Sequence, residues 1–184
     1  MTFSHDGTEL YYVVKANDIG TLYRIPALGG TSVKVLEGID SPISFSPDGR
    51  QFAFVRGVYP NTGESTLRIA NLDGSGERNL VVKKIPQTVA PPSFVGPSWS
   101  PDGKIVASAV ASFGGRSKVV GFSVADGSET DLSPESWPFL GRVEWLPDMS
   151  GLLAIAGNQT TAMLLHISYP DGRSRRITND LTEY

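Results

Sequence analysis

A chain of 184 residues is long enough to bury one working core, and its net charge of −3 leaves no basic surplus for neutralising phosphates. Nucleic acid and anionic membrane surfaces are therefore set aside as partners. The absence of cysteine removes disulfides, thiolate catalysis and cysteine-ligated zinc together, and it leaves the redox compartment open. No apolar run approaches the roughly 20 residues needed to cross a bilayer. Met1 is followed at once by repeat sequence, which reads as a chain cut from a longer one.

From the amino end, Phe3-Ser-His-Asp-Gly7 opens a motif that returns as Phe45-Ser-Pro-Asp-Gly49, Trp99-Ser-Pro-Asp-Gly103 and Trp145-Leu-Pro-Asp-Met-Ser-Gly151. The Gly-to-Gly steps are 42, 54 and 48 residues, periods that suit four-stranded repeat units. His5 replaces the turn proline in the first unit. In the fourth, Met149 interrupts the motif, and Ser150-Gly151 reads as a lengthened turn. A second signal follows each first one by 22, 25, 24 and 21 residues: Leu28-Gly29-Gly30, Asp73-Gly74, Asp126-Gly127 and Asp171-Gly172. Asp-Gly and Gly-Gly supply the positive φ of tight hairpins, so each marks a strand reversal.

Between the turns lie short apolar and β-branched runs, at 10–14 and 22–25, 52–55 and 67–70, 105–110 and 119–124, and 152–156 and 164–167. They have strand length, and no helical period competes with them. Several are apolar at successive positions, as in Ile105-Val-Ala and Leu164-Leu, so those strands are expected to be buried on both faces. Each unit reads as strand A, turn, strand B, loop, strand C, turn, strand D. The expected fold is all-β: a β-propeller of four four-stranded antiparallel blades at about 1–38, 39–86, 87–136 and 137–184.

The stretches from Phe45 to Ala53 and from Trp99 to Ala107, with their aromatic-Ser-Pro-Asp-Gly core, resemble the Pro-Asp-containing (PD40, WD40-like) repeats of the periplasmic TolB family. Similar repeats form sensor-like halves of bacterial kinases and the propellers of prolyl oligopeptidase relatives. The resemblance spans nearly the whole chain and implies a fold. It implies no single function, because the repeat residues are structural and shared by scaffolds, sensors and protease gates. It points to a bacterial, periplasmic or otherwise extracytoplasmic parent protein, while the residues themselves leave the compartment open.

Strand alternation puts both Asp-Gly turns of every blade on one rim and the B–C loops and D–A crossings on the other. The second rim varies in length and composition, which suits it to binding. It carries Tyr59, Phe94, Phe113, Trp137 and Phe139. These aromatics read either as a contact face for a peptide or protein or as plugs of the channel mouth and blade seams. The repeating aromatics Phe3, Phe45, Trp99 and Trp145 read as seam packing.

Strand A lines the channel, and the residue before its aromatic is Thr2, Ser44, Ser98 and then Glu144. Arg142 accompanies Glu144 in the fourth blade alone. The two read as a channel site for a divalent cation such as calcium, or as a self-neutralising ion pair. The two histidines, His5 and His166, fall short of a three-histidine zinc centre, and no catalytic residue is assigned.

An open four-blade arc would leave two apolar faces bare, at a cost of order 10 kcal/mol for several hundred Å² each. The ring can close on itself with four blades or through a homodimer of eight, and the homodimer is expected, because eight blades keep the mild inter-blade angles that bulky tryptophan and phenylalanine at the seams favour. The function these residues favour is a non-catalytic module that binds a peptide or protein on its variable rim. Two alternatives remain: a metal-assisted lactone or phosphoester hydrolase with a cation at the channel mouth, and a structural fragment without ligand.

Overall fold

The first hairpin shows why the motif folds as it does. The Asp6 carboxylate accepts hydrogen bonds from the Thr8 amide at 3.0 Å and from Ser4 Oγ at 2.7 Å, while the Gly7 amide donates to the Ser4 carbonyl at 2.9 Å. Gly7 closes that loop with φ of +72°. Asp48, Asp102 and Asp148 make the same bond to the amide two residues on. The repeat is thus an Asx turn that points a strand back on itself.

The computed structural model describes residues 1–57, 63–90, 95–158 and 161–178. All regular structure among them is strand, in four antiparallel sheets. The first sheet holds β1 (Thr2–Phe3), β2 (Glu9–Ala16), β3 (Ile19–Pro26) and β4 (Val33–Glu37), and the second β5 (Ser44–Phe45), β6 (Gln51–Arg56), β7 (Glu64–Asn71) and β8 (Arg78–Lys84). In the third, β9 (Gln87–Val89) and β10 (Ser98–Trp99) both pair with β11 (Ile105–Ser112), followed by β12 (Ser117–Ser123) and β13 (Glu129–Asp131). The fourth holds β14 (Phe139–Trp145), β15 (Gly151–Gly157), β16 (Ala162–Ser168) and β17 (Ser174–Arg176). This is the all-β four-blade architecture expected. The crossing that reads as a loop at 83–96 contains β9, so the innermost strand of the third blade comes in two pieces.

One expectation about the turns is corrected. The fourth turn is not lengthened: Met149 stands where the other turns have glycine, with φ of +61°, and its amide donates to the Leu146 carbonyl at 3.1 Å. Backbone conformation sets the turn, and methionine is held in a region that glycine occupies more cheaply.

Consecutive sheets pack face to face. One core joins the first two blades through Tyr11, Leu22, Phe52 and Phe54, and a second runs through the other seams with Trp99, Phe122, Trp145 and Leu152. Phe45 meets Tyr11 of the preceding blade edge-on at 5.1 Å.

Three devices recur at the seams, each reaching back from one blade to its predecessor. The Trp99 amide donates to Ser44 Oγ at 2.9 Å and the Trp145 amide to Ser98 Oγ at 3.0 Å. Gly74, Gly127 and Gly172 lie over the carbonyls of Val35, Leu80 and Leu132, where an added Cβ would stand 2.5, 2.3 and 2.9 Å from the oxygen. On the turn rim, His5 sits beneath Gly49 and Pro47 beneath Gly103, at 3.2 and 3.8 Å from where a Cβ would be. His5 therefore takes the place of the turn proline.

Candidate functional site

The rim opposite the turns is built from connections of unlike length. In the first blade the B–C connection is only Asn17-Asp18, both in the left-handed region, because Ala16 already pairs with Ile19. In the third blade β11 and β12 are joined through Phe113, Gly114, Gly115 and Arg116. The Phe113 amide donates to the Pro86 carbonyl at 2.7 Å, which holds this loop against the strand-D exit of the second blade.

The aromatics named from the sequence part company here. Phe113 is 74% exposed, and Ile85, beside Pro86, is 63% exposed. Two large apolar side chains thus share one stretch of rim. Ile85 was not legible in the sequence, where it closes the charged run Lys83-Lys84. Trp137 does not belong to that face. It is 8% exposed, exchanges backbone hydrogen bonds of 2.7 and 2.9 Å with Ser117, and packs into the larger core. Arg116 fixes the neighbouring residue by donating from Nε to the Ser136 carbonyl at 3.0 Å. Phe139 is half-buried in β14, opposite Gly157. Tyr59 and Phe94 lie outside the described residues.

A cleft of about 270 Å³ opens at the seam of the first two blades, lined among others by Tyr12, Lys15, Asp40 and Ser41. Asp40 accepts a hydrogen bond from the Gly57 amide at 2.8 Å, and its other oxygen lies 3.8 Å from Lys15 Nζ. One anionic and one cationic group therefore face the same rim. No local pattern announces this pair, since Lys15 and Asp40 belong to different blades.

Arg142 and Glu144 do come together. Nε and Nη2 of Arg142 both donate to Glu144 Oε2 at 3.2 Å, and both side chains are exposed. They lie on the face of the fourth sheet that looks away from the third. The serines at the equivalent position, Ser44 and Ser98, are seam acceptors. Among the described residues no three His, Asp or Glu side chains gather to hold a metal ion. His5 and His166 sit in different blades, His166 facing Leu153 and Arg175 across its sheet.

The shifted carboxyl groups belong to the turns. Hydrogen bonds from Ser4 and Thr8 hold Asp6 down at about 2, and those from Ser128 and Ser123 do the same for Asp126. The hydroxyls of Ser46, Ser75 and Ser150 lower Asp48, Asp73 and Asp148. These carboxylates are anchored as turn acceptors. On the seam of the first two blades, burial lowers the Arg56 guanidinium, which Glu77 meets at 2.8 Å.

No protein-family model matches the chain. Superposition on solved structures does match. The putative TolB of Agrobacterium tumefaciens covers 95% of this chain with a TM-score of 0.77 at 17% identity, and this chain covers 62% of it. The fold is that of a TolB-like β-propeller. The propeller domain of the Trilobed protease from Pyrococcus furiosus superposes on the TolB-like arc over 94% of its length, with a TM-score of 0.59 and 15% identity, and the arc covers 54% of that chain. By sequence, dipeptidyl-peptidase 5 of Porphyromonas gingivalis is 26% identical over 161 residues, which is 83% of the TolB-like chain and 22% of the peptidase. The chain thus spans about a fifth of the curated relative it matches.

Proposed function

We propose that this propeller segment is a non-catalytic module that recognises a peptide or protein on its variable-loop rim. The observation that carries the reading is the pair Ile85 and Phe113, large apolar side chains left open on a rim whose other described aromatics turn inward. Exposed apolar anchors beside polar clefts are the usual makings of a recognition surface. The cleft at the seam of the first two blades, open to the same rim, adds a carboxylate and an ammonium, suited to the polar backbone or termini of a peptide. Peptide is also the ligand class that the name of the sequence relative brings to mind, although peptidase activity does not come with a match to a fifth of it. We also propose that the module works as a homodimer.

The test is an immobilised array of 12-residue peptides of mixed apolar and charged composition, probed with the purified chain. Retained peptides are expected to bind Phe113→Ala and Ile85→Ala at least tenfold more weakly, with melting temperatures unchanged. Binding that ignores both substitutions, or no retained peptide at all, overturns the reading.

A further inference from the structure

The seam between the third and fourth blades is hollow on the turn side, and comparison of one blade with the next shows why. Strand register places Gly121, Ser123 and Thr130 of the third blade where the second has Ile69, Asn71 and Arg78. At the preceding seam those larger side chains occupy the place. Ile69 is fully buried, Gln51 Nε2 donates to Asn71 Oδ1 at 3.2 Å, and Arg78 Nη2 reaches across to the Val124 carbonyl at 3.0 Å. In the third blade all three are short, and Ile105 replaces Gln51. Ile105 and Leu132 lean over the bare Gly121 backbone, 2.9 and 3.1 Å from where a Cβ would be, yet a cavity of about 300 Å³ remains.

The lining divides by chemistry. Ile105 and Leu132 give an apolar floor, and the fourth blade contributes the Tyr169 ring. Tyr169 takes the place that Val124 holds in the third blade, its amide bonding to Ser150 as that of Val124 bonds to Lys104. Trp145 meets the ring edge-on at 5.1 Å and fixes its tilt. Ser123, Ser128, Thr130 and Lys104 complete the edge. The Ser128 amide and hydroxyl both donate to Asp126, at 3.0 and 2.8 Å, so that carboxylate is engaged within its own turn. Lys104 is the cation among the described lining residues. Its side chain is 80% exposed, and its ammonium stands a loose 3.8 Å from Asp102, whose carboxylate is already held by Ser100 Oγ and the Lys104 amide.

We propose that this cavity is a binding site for a small aromatic carboxylate, with the ring between Tyr169 and the Ile105–Leu132 floor and the carboxylate toward the Lys104 ammonium. The volume suits one substituted ring, and hollows left by missing side chains in apolar surroundings accept such rings. Lys104 decides the charge of the ligand, since an ammonium repels a cation and attracts an anion. The site lies beside the Asp126-Gly127 turn, on the rim opposite Ile85 and Phe113, and is separate from the recognition surface proposed above.

The probe is phenylacetate, titrated into the isotope-labelled chain and followed by amide chemical shifts. The amides of Ile105, Gly121 and Thr130 are expected to move together while that of Phe113 stays in place. Phenylacetamide, the neutral isostere, should bind roughly threefold to fivefold more weakly, a modest factor because Lys104 is exposed. Lys104→Gln should bring phenylacetate down to the affinity of the amide and leave the amide unchanged. Thr130→Phe, at an exposed strand position, fills the cavity mouth and should weaken both probes at least about tenfold with the melting temperature unchanged. If that variant melts lower, the map of moving amides decides alone. Phenylacetate that moves none of the three amides at about 5 mM, or binds a stably folded Thr130→Phe chain equally well, overturns the site. Equal affinity for acid and amide overturns the ligand class.

Discussion

Replacing Gly127 by alanine loads two costs on one residue. The first is conformational: φ is +74°, and an L side chain in the left-handed region costs about 1–2 kcal/mol. The second is steric, since the new methyl would stand 2.3 Å from the Leu80 carbonyl oxygen. That is roughly 1 Å inside ordinary contact, so the seam between the second and third blades must open, at about 1–3 kcal/mol by analogy with overpacked cores. Gly114 separates the two costs. Its φ is +71°, yet an added Cβ would have nothing within 4 Å. Gly114→Ala should therefore lose only about 1–2 kcal/mol, and Gly127→Ala about 2–5. Urea titrations followed by tryptophan fluorescence give both values from the shift in midpoint at constant slope. Equal losses for the two variants would refute the idea that this glycine is required by the neighbouring blade.

Ser98→Ala removes the acceptor of the Trp145 amide inside a seam, so a loss of about 1–3 kcal/mol is expected in the same titration. A loss below about 0.5 kcal/mol would mean that the amide is served from elsewhere. Met149→Gly relieves a left-handed residue, and calorimetry should record a rise of about 2–4 °C in melting temperature, less whatever packing the half-buried side chain gives up. Asp6 and Asp126 are held to about 2 against an ordinary 3.8, so the folded chain takes up protons later than the unfolded one on acidification. Their stabilisation is complete above about pH 4 and is lost as the pH falls toward 2. Melting temperatures should drop across that window, and Asp6→Asn together with Asp126→Asn should flatten the drop.

The blades were legible because their information is local. Asp-Gly and Pro-Asp-Gly fix hairpins through bonds spanning two or three residues, and the apolar runs between them can only be strands. Met149 shows the limit of that reading. Glycine spacing suggested a longer turn, but the turn needs a positive φ, and a non-glycine residue can be held there by its surroundings. The site was harder to read because its contacts are remote in sequence. Thr2, Ser44, Ser98 and Glu144 stood out as a column, yet the meaning of the serines lies in amides 55 and 47 residues away. Trp137 has the composition of a loop anchor and becomes core through a bridge to Ser117, which no pattern announces. Ile85 is illegible for the opposite reason, its charged neighbours masking an apolar side chain that stands on the rim beside the Pro86–Phe113 contact.

Two kinds of seam contact lean in one direction: Gly74, Gly127 and Gly172, and the amides of Trp99 and Trp145, all reach toward the blade made earlier. A ribosome delivers blades in that same order, so each new sheet emerges to find its docking surface already assembled. Growth by accretion onto a finished template keeps the exposed hydrophobic edge to a single sheet while synthesis proceeds.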